Sequence, residues 1–214
     1  SVDGGDTWSN VGLKDSEHVG NIVIDPRDSD VVYVAAMGPL WRPGGDRGLY
    51  KTTDGGATWA RILHVSEDTG IAEVHLHPED PDVVFATAYQ RRRHVWTLIN
   101  GGPESGLYRS SDAGATFTKV EKGLPSEVDT GRHGLCISPA DPEVMYAIVD
   151  AARDEGGFFR STDRGRSWEK RSDYAAGGDY YNELFCDPED VDRVYSMDTW
   201  MQVTTDGGTT WANV

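Results

Sequence analysis

The chain has 214 residues, enough for one large all-β domain or for part of one. Its formal net charge of -16 disfavours nucleic acid or an anionic membrane as partner, because both need clustered Lys and Arg. The longest apolar run, residues 31–37, is too short to span a bilayer, and the first residues form neither a basic nor an apolar signal region. We therefore expect no membrane insertion.

A short motif recurs five times with the pattern Ser/Thr-x-Asp-x-Gly-x-Ser/Thr-aromatic, which we call the Asp turn. In such a segment the aspartate accepts hydrogen bonds from backbone N–H groups just after it, and the glycine supplies a positive φ. Each copy predicts a hairpin turn whose closing aromatic residue starts the next strand. The five aspartates, 43 to 58 residues apart, are Asp3, Asp54, Asp112, Asp163 and Asp206.

Three further segments recur with the same period. A first strand ending in proline (NIVIDP, VHLHP, LCISP, LFCDP) precedes an acidic turn, a second strand and a third strand that runs into the Asp turn. Units of four short antiparallel strands predict an all-β propeller, with four complete blades at residues 9–59, 60–117, 118–168 and 169–214. Residues 1–8 match the end of a preceding blade, so we expect an arc of a larger propeller or one that needs a partner.

The motif resembles the Asp-box, or bacterial neuraminidase repeat, of sialidases, xyloglucanase-type glycoside hydrolases, photosystem II assembly factors and sortilin-type receptors. DSEHVGNIVIDPRDSDVVYVAA, GLYKTTDGGATW and AYQRRRHVW followed by GGPESGLYRSSDAG are most similar to large bacterial sortilin-like proteins, which are usually labelled glycosyl hydrolases. The resemblance implies that the Asp-boxes are structural and lie opposite the functional face. It also implies an extracellular or periplasmic location.

Blade topology sorts the loops into two groups. Turns between the first and second strands, and between the third and fourth, emerge on one face. The loop between the second and third strands, and the connection to the next blade, emerge on the other, where binding residues are expected. Trp41, Trp96 and Trp200 all fall in or beside these loops. Their rings can stack on sugars or grip peptide side chains, or alternatively cap the blades.

The longest of these loops, residues 88–106, carries a cationic cluster in an acidic protein. Arginine suits bidentate contact with a carboxylate, sulfate or phosphate, although the same arginines can instead pair with neighbouring acids. The candidate ligand-binding residues on the functional face are Trp41, Arg42, Arg91, Arg92, Arg93, His94, Trp96, His133, Asp179, Tyr180, Tyr181 and Trp200.

Two functions remain open from the sequence. The first is a binding or scaffold module that recognises a peptide, protein or glycan, with further blades or a second copy as additional partner. The alternative is a glycoside hydrolase with a carboxylate pair on the same face. A sialidase needs an arginine triad and a Tyr–Glu pair. The Phe-Arg-Ile-Pro stretch that carries one of those arginines is absent, whereas Tyr180, Tyr181 and Glu183 leave a Tyr–Glu pair open. No catalytic residue is assigned among the other acids there, Asp15, Glu17, Asp46, Glu67, Asp68, Asp129, Asp179 and Asp198.

No cofactor or metal site is expected. The acidic turns at residues 25–30 and 187–192 recur as ordinary turns in blades without those acids, which disfavours calcium. Cys136 lies three residues before Pro139, whereas Cys186 lies two before Pro188, so the two side chains have opposite strand parity. Because the positions of even parity are the apolar ones, this alignment predicts two free thiols.

Overall fold

The computed structural model describes residues 1–177 and 181–214. In this part of the chain seventeen strands form four antiparallel sheets, and the helical content is a single 3-10 turn at Ala152–Asp154. Three of the sheets are built from four consecutive strands that pair in chain order. This arrangement confirms the prediction of an all-β fold made of four-stranded propeller blades. The blade boundaries given above, and the assignment of residues 1–8, stay predictions.

The first two sheets cover the first half of the chain. Sheet 1 consists of β1 (Val19–Asp25), β2 (Asp28–Ala36), β3 (Gly48–Thr52) and β4 (Ala60–Leu63). Sheet 2 consists of β5 (Thr69–Leu76), β6 (Val84–His94), β7 (Thr97–Asn100), β8 (Gly106–Ser110) and β9 (Thr118–Lys119). In sheet 2 the order is β5-β6-β8-β9, and β7 pairs only with β6.

The other two sheets follow the same plan. Sheet 3 consists of β10 (Thr130–Ile137), β11 (Met145–Ala151), β12 (Gly157–Ser161) and β13 (Glu169–Ser172). Sheet 4 consists of β14 (Glu183–Cys186), β15 (Val194–Met197), β16 (Gln202–Thr204) and β17 (Ala212–Asn213). The first strands of neighbouring sheets, β1 beside β5, β5 beside β10 and β10 beside β14, contact one another along one edge of the arc.

The segment predicted as the longest loop is a β-hairpin. β6 continues beyond its pairing with β8 and pairs with β7 instead, in a register that joins Arg91 to Asn100 and His94 to Thr97. The hairpin therefore projects from sheet 2 beyond the edge of the other sheets.

The Asp turns have the hydrogen bonds that their sequence predicts. In the second copy, Asp54 Oδ1 accepts the Thr58 N–H at 2.9 Å and Oδ2 accepts the Thr58 hydroxyl at 2.6 Å. The Thr52 hydroxyl donates to Asp54 and accepts the Gly56 N–H at 2.9 Å. The threonine hydroxyl bonds hold the pKa of Asp54, and likewise of Asp112 and Asp206, at about 2. Each turn is thus an ionised, self-contained unit.

Neighbouring sheets are joined by a repeated cation–aromatic pair. Lys51 lies over the Tyr33 ring, Arg109 over Phe85 and Arg160 over Tyr146, always as cross-strand partners. Lys51 Nζ donates to the Ala113 carbonyl in the Asp turn of the next sheet at 2.9 Å, and Arg109 Nε donates to the Arg164 carbonyl at 3.3 Å. Apolar clusters fill each of the three spaces between sheets.

The two end sheets expose apolar side chains on their outward faces. Ile22 and Ile24 of β1 are 61% and 55% exposed on the side away from sheet 2. Phe185 of β14 is 58% exposed on the side away from sheet 3. In sheet 4 the cation–aromatic pair is replaced by Tyr195 and Val203, which are cross-strand partners without a charge.

The prediction of two free thiols is wrong, because Cys136 and Cys186 form a disulfide with their Cα atoms 6.1 Å apart. Cys136 points from sheet 3 toward sheet 4, where it packs in the cluster that contains Leu184. Cys186 shares the parity of Leu184 and points back toward sheet 3. Stacked sheets meet through opposite faces, so opposite strand parity brings the two sulfurs together rather than apart.

Candidate functional site

One end of the sheets carries the loops that join the second to the third strand. The segments that link successive sheets lie at the same end. We call this surface the loop rim. Backbone hydrogen bonds tie its parts together across sheets, because Arg93 N donates to Leu40 O at 2.9 Å and Gly44 N donates to Glu67 O at 2.8 Å. The rim is therefore a connected surface and not a set of independent loops.

Buried Arg47 shapes the first rim segment, residues 37–47. Its side chain is 2% exposed and donates to the Met37 carbonyl at 2.6 Å, with further bonds to the carbonyls of Pro39 and Arg42. Burial lowers the pKa of Arg47. Sequence reasoning missed this residue, because an arginine bonded to carbonyl groups has no signature in the order of residues.

The loop that Arg47 supports presents an aromatic patch together with the hairpin. Trp41 follows Leu40, whose carbonyl is bonded to the hairpin, and its side chain is 58% exposed. At the hairpin tip, His94 and Trp96 stack with ring centroids 5.5 Å apart and an interplanar angle of 12°. Trp96 is 82% exposed. We call Trp41, His94 and Trp96 the aromatic patch.

The arginines of the rim are engaged with other groups of the protein. Arg42 Nη2 bonds Asp15 at 2.5 Å and lies 3.3 Å from Glu17, and Arg92 bonds Asp68. Arg91 lies over the Tyr89 ring at 5.9 Å, and Arg93 also interacts within the protein. This arrangement corresponds to the alternative in which the arginines support the loops, rather than to an open anion site.

Glu104 fastens the base of the hairpin to the link between sheets 1 and 2. Its Oε2 accepts the hydroxyls of Ser66 and Thr69, both at 2.5 Å, and these bonds lower the pKa of the carboxyl group. The partners lie more than thirty residues away in sequence. This role therefore has no signature in the order of residues.

A charged network joins the first strands of sheets 2, 3 and 4. Arg132 of β10 bonds Glu183 of β14 at 2.5 Å and lies 3.9 Å from Glu73 of β5. Glu73 in turn accepts the Leu135 N–H at 3.1 Å and lies 3.1 Å from His75 Nε2. The network holds three sheets together, and of its members only Glu183 was named in the sequence analysis.

The remaining site candidates are spread over the rim. His133 is 3% exposed, and burial lowers its pKa to about 4, which excludes it from direct contact with a large ligand. Trp200, between β15 and β16, is 76% exposed, and Tyr181 is 42% exposed. Asp179 and Tyr180 lie outside the described residues.

The carboxylates proposed as catalytic candidates have different surroundings. Four are in ion pairs with an arginine, namely Asp15, Glu17, Asp68 and Glu183, and Glu67 Oε1 lies 3.3 Å from His64 Nε2. Asp46 accepts the Asp15 N–H, Asp198 accepts the N–H groups of Gly177 and Thr199, and Asp129 lines two surface cavities. In residues 1–177 and 181–214, no group of three His, Cys, Asp or Glu side chains is placed to hold a metal ion.

The chain forms four stacked antiparallel sheets, one of which has a fifth strand added by the hairpin. Matching turns lie at one end of the sheets and the connected loop rim at the other. These features define a propeller-type repeat protein. Comparisons with known proteins agree. A xyloglucanase of Hypocrea jecorina is 31% identical over 185 residues, which is 81% of this chain and 20% of that protein. Vacuolar protein sorting/targeting protein 10 of Eremothecium gossypii is 28% identical over 177 residues, 77% of this chain and 11% of that protein.

Solved structures show the same fold. The GH74 xyloglucanase of Xanthomonas campestris superposes with a TM-score of 0.67 at 15% identity, over 89% of this chain and 28% of that structure. This chain thus spans about a fifth or less of the curated relatives named here. No family model matches the chain. The relatives include both glycoside hydrolases and a sortilin-like protein, as the sequence resemblance implied. In the described part of the chain, no helix has the length and hydrophobicity needed to cross a bilayer.

Proposed function

We propose that this chain is a glycan-binding arc of a glycoside hydrolase-type β-propeller, with xyloglucan or a related β-glucan contacting the loop rim. The observation that carries the proposal is the aromatic patch, and the similarity to xyloglucanases supports it. In this proposal the Asp turns are Asp-boxes with a purely structural role. From the sequence, glycan recognition belonged to the first hypothesis, a general binding module, and a glycoside hydrolase was the alternative.

The aromatic patch suits sugar rings better than it suits an anion. Exposed flat rings offer large apolar area at low conformational cost, and the apolar face of a pyranose stacks on such rings. Trp41 and Trp96 are both more than half exposed, although a tryptophan is usually well buried. The arginines beside them are engaged with carboxylates or a tyrosine ring, so the exposed chemistry of the patch is aromatic.

The proposal gives this chain recognition rather than the proton-donating step. A general acid must be protonated at working pH, which requires a raised pKa. Asp15 and Glu17 share the guanidinium of Arg42, and Glu183 is bonded to Arg132, so these three carboxylates are engaged with arginines of the same chain. A complete acid–base pair would then involve residues contributed by other parts of the full protein.

Affinity electrophoresis in native gels that contain xyloglucan tests the proposed function. We expect the wild-type chain to be retarded, and Trp41→Ala and Trp96→Ala to migrate faster, because loss of one stacking ring removes about 1 kcal/mol or more of binding free energy. Trp8→Ala is the matched control, since Trp8 is also exposed but belongs to the first Asp turn. Equal migration of all four proteins with and without xyloglucan would contradict the proposal.

A protein ligand is the second candidate. It is favoured by the similarity to a vacuolar sorting and targeting protein, and the same exposed rings can grip peptide side chains. The gel experiment separates the two, because a chain that binds only peptides is not retarded by a neutral polysaccharide.

We also propose that the outward faces of sheets 1 and 4 pack against further sheets of a longer polypeptide. Ile22 and Ile24 have the parity of Leu135 and Leu184, which are buried against the preceding sheet. The relatives are several times longer than this chain. Light scattering on the purified chain should therefore give the monomer mass of 23.5 kDa. A stable dimer that Phe185→Asp dissociates would identify a second copy as the partner instead.

An extracellular or periplasmic location completes the proposal. Disulfides persist in oxidising compartments and are rare in the cytosol, and the Cys136–Cys186 bond joins two sheets of this chain. In this proposal the protein would encounter xyloglucan, a polysaccharide, in that same compartment.

A further inference from the structure

A polar depression lies at the junction of sheets 2 and 3, and its lining residues are different from those of the aromatic patch. Two surface cavities of about 370 and 320 Å³ meet there, because Asp129, Thr130 and Ala152 line both of them. We call the combined depression the sheet 2–3 trough. Its size is in the range of small-ligand sites.

The chemistry of the trough is mixed and polar. The carboxylates of Glu127, Asp129 and Asp150 line it together with the cations Lys119 and Arg153. An apolar ligand would find few partners, and the excess of carboxylates opposes a phosphate or another anion. Neutral hydroxyl groups donate to carboxylates and accept from ammonium and guanidinium groups, so a polyhydroxylated ligand fits this lining.

Backbone forms the floor of the trough. Gly102 N donates to Thr130 O at 3.0 Å, and Ala152 N donates to Asp129 O at 2.9 Å, which fixes the hairpin base against sheet 3. Beside Gly131, the space that a Cβ would take is occupied by the Asp150 carboxylate, which therefore lies against the main chain.

One segment that lines the trough has an uncommon backbone conformation. Arg153 and Asp154 have φ values of 60° and 61°, in the left-handed region that non-glycine residues seldom adopt. Such conformations raise the energy by roughly 1–3 kcal/mol each and concentrate at ligand clamps and active sites. Arg153 lines the first cavity together with Lys119.

We propose that the sheet 2–3 trough is a saccharide subsite that recognises the hydroxyl groups of one neutral sugar unit, with Asp129 as its central acceptor and Arg153 as a donor at the edge. The ligand class follows the proposed function, but the residues are separate from the aromatic patch. In this proposal the trough recognises the arrangement of hydroxyl groups on the sugar, whereas the aromatic patch stacks on the sugar ring.

Titration of the ¹⁵N-labelled 214-residue chain with cellotetraose, followed by NMR, tests the subsite. We expect saturable shifts of the Gly131 and Ala152 amides. Asp129→Asn, which keeps the shape of the side chain, and Arg153→Ala should each weaken the affinity read from these shifts about tenfold, as loss of a hydrogen bond to a charged group does. Glu189→Gln, an exposed carboxylate in an acidic turn at the other end of the sheets, should leave the affinity unchanged.

The outcomes distinguish the trough from the aromatic patch. Shifts at Gly131 and Ala152 that persist in Trp96→Ala but weaken in Asp129→Asn support the trough, even if the patch does not bind glycans. Shifts confined to the patch would overturn the inference, as would unchanged affinity in both trough variants, and so would the absence of any shift. The spectrum of each variant also shows whether it is folded.

Discussion

His133 is a neutral side chain enclosed at the start of β10, with Nδ1 3.2 Å from the Gly131 carbonyl. Burial lowers its pKa from 6.5 to about 4. The native chain thus binds fewer protons than the unfolded chain between those two values. The contribution of His133 to the free energy of unfolding is therefore complete above pH 6.5. As the pH drops toward 4, the free energy of unfolding falls by on the order of 3 kcal/mol.

Urea unfolding measured at several pH values checks this prediction. The wild-type chain should lose stability between pH 6.5 and 4, and His133→Gln should lose much less over the same range. His94→Gln, which alters a histidine in the aromatic patch, should keep the wild-type dependence. A flat profile for the wild-type chain would show that His133 is already accessible to protons in the native state.

The Asp turns affect the stability of the fold over a different pH range. The pKa of Asp54, Asp112 and Asp206 is about 2, which is below the ordinary value of 3.8. The contribution of these three aspartates to the free energy of unfolding is therefore complete above about pH 4, and it decreases only as the pH falls toward 2. Because the two windows do not overlap, the titration of His133 can be read without interference from these turns.

At the scale of elements, the disulfide links the first strands β10 and β14 across 50 residues of sequence. Closing a loop of this length restricts the unfolded chain and stabilises the fold by about 4 kcal/mol in the chain-entropy model. We expect Cys136→Ser and Cys186→Ser to be destabilised by similar amounts in denaturant unfolding, because each variant removes the same bond.

Reduction provides the matched control for that prediction. Dithiothreitol should lower the stability of the wild-type chain to that of the serine variants and leave the variants unchanged. Alkylation followed by mass spectrometry should label both cysteines only after reduction. Two thiols that are labelled without reduction would contradict the bond between the sheets.

The repeated elements were accessible from sequence, whereas the contacts between them were not. Strand order and the Asp turns follow from local hydrogen bonding and from residue alternation, so five copies of one pattern predicted them. The Cys136–Cys186 pairing failed because strand parity was read within one sheet, although the sheets meet through opposite faces. Arg47 and Glu104 were missed because their partners are carbonyls or hydroxyls that only folding brings close.

At the scale of the whole molecule, the sheets differ at their two ends, because the Asp turns lie at one end and the loop rim at the other. Asp turns and cation–aromatic pairs fasten neighbouring sheets at the first end. At the other end, rim segments of different sheets are bonded to each other and carry exposed rings. The sequence predicted Trp41, Trp96 and Trp200 on this face, but the hairpin that stacks His94 on Trp96 depended on the pairing of β6 with β7.

Isothermal titration calorimetry with xyloglucan oligosaccharides tests the rim most directly. The account predicts measurable binding by the wild-type chain and at least a tenfold weaker affinity for the double variant Trp41→Ala/Trp96→Ala, since two stacking rings are lost. Trp8→Ala should bind as the wild-type chain does. An affinity that is the same in the double variant, or absent in the wild-type chain, would contradict the assignment of the rim as a glycan-binding surface.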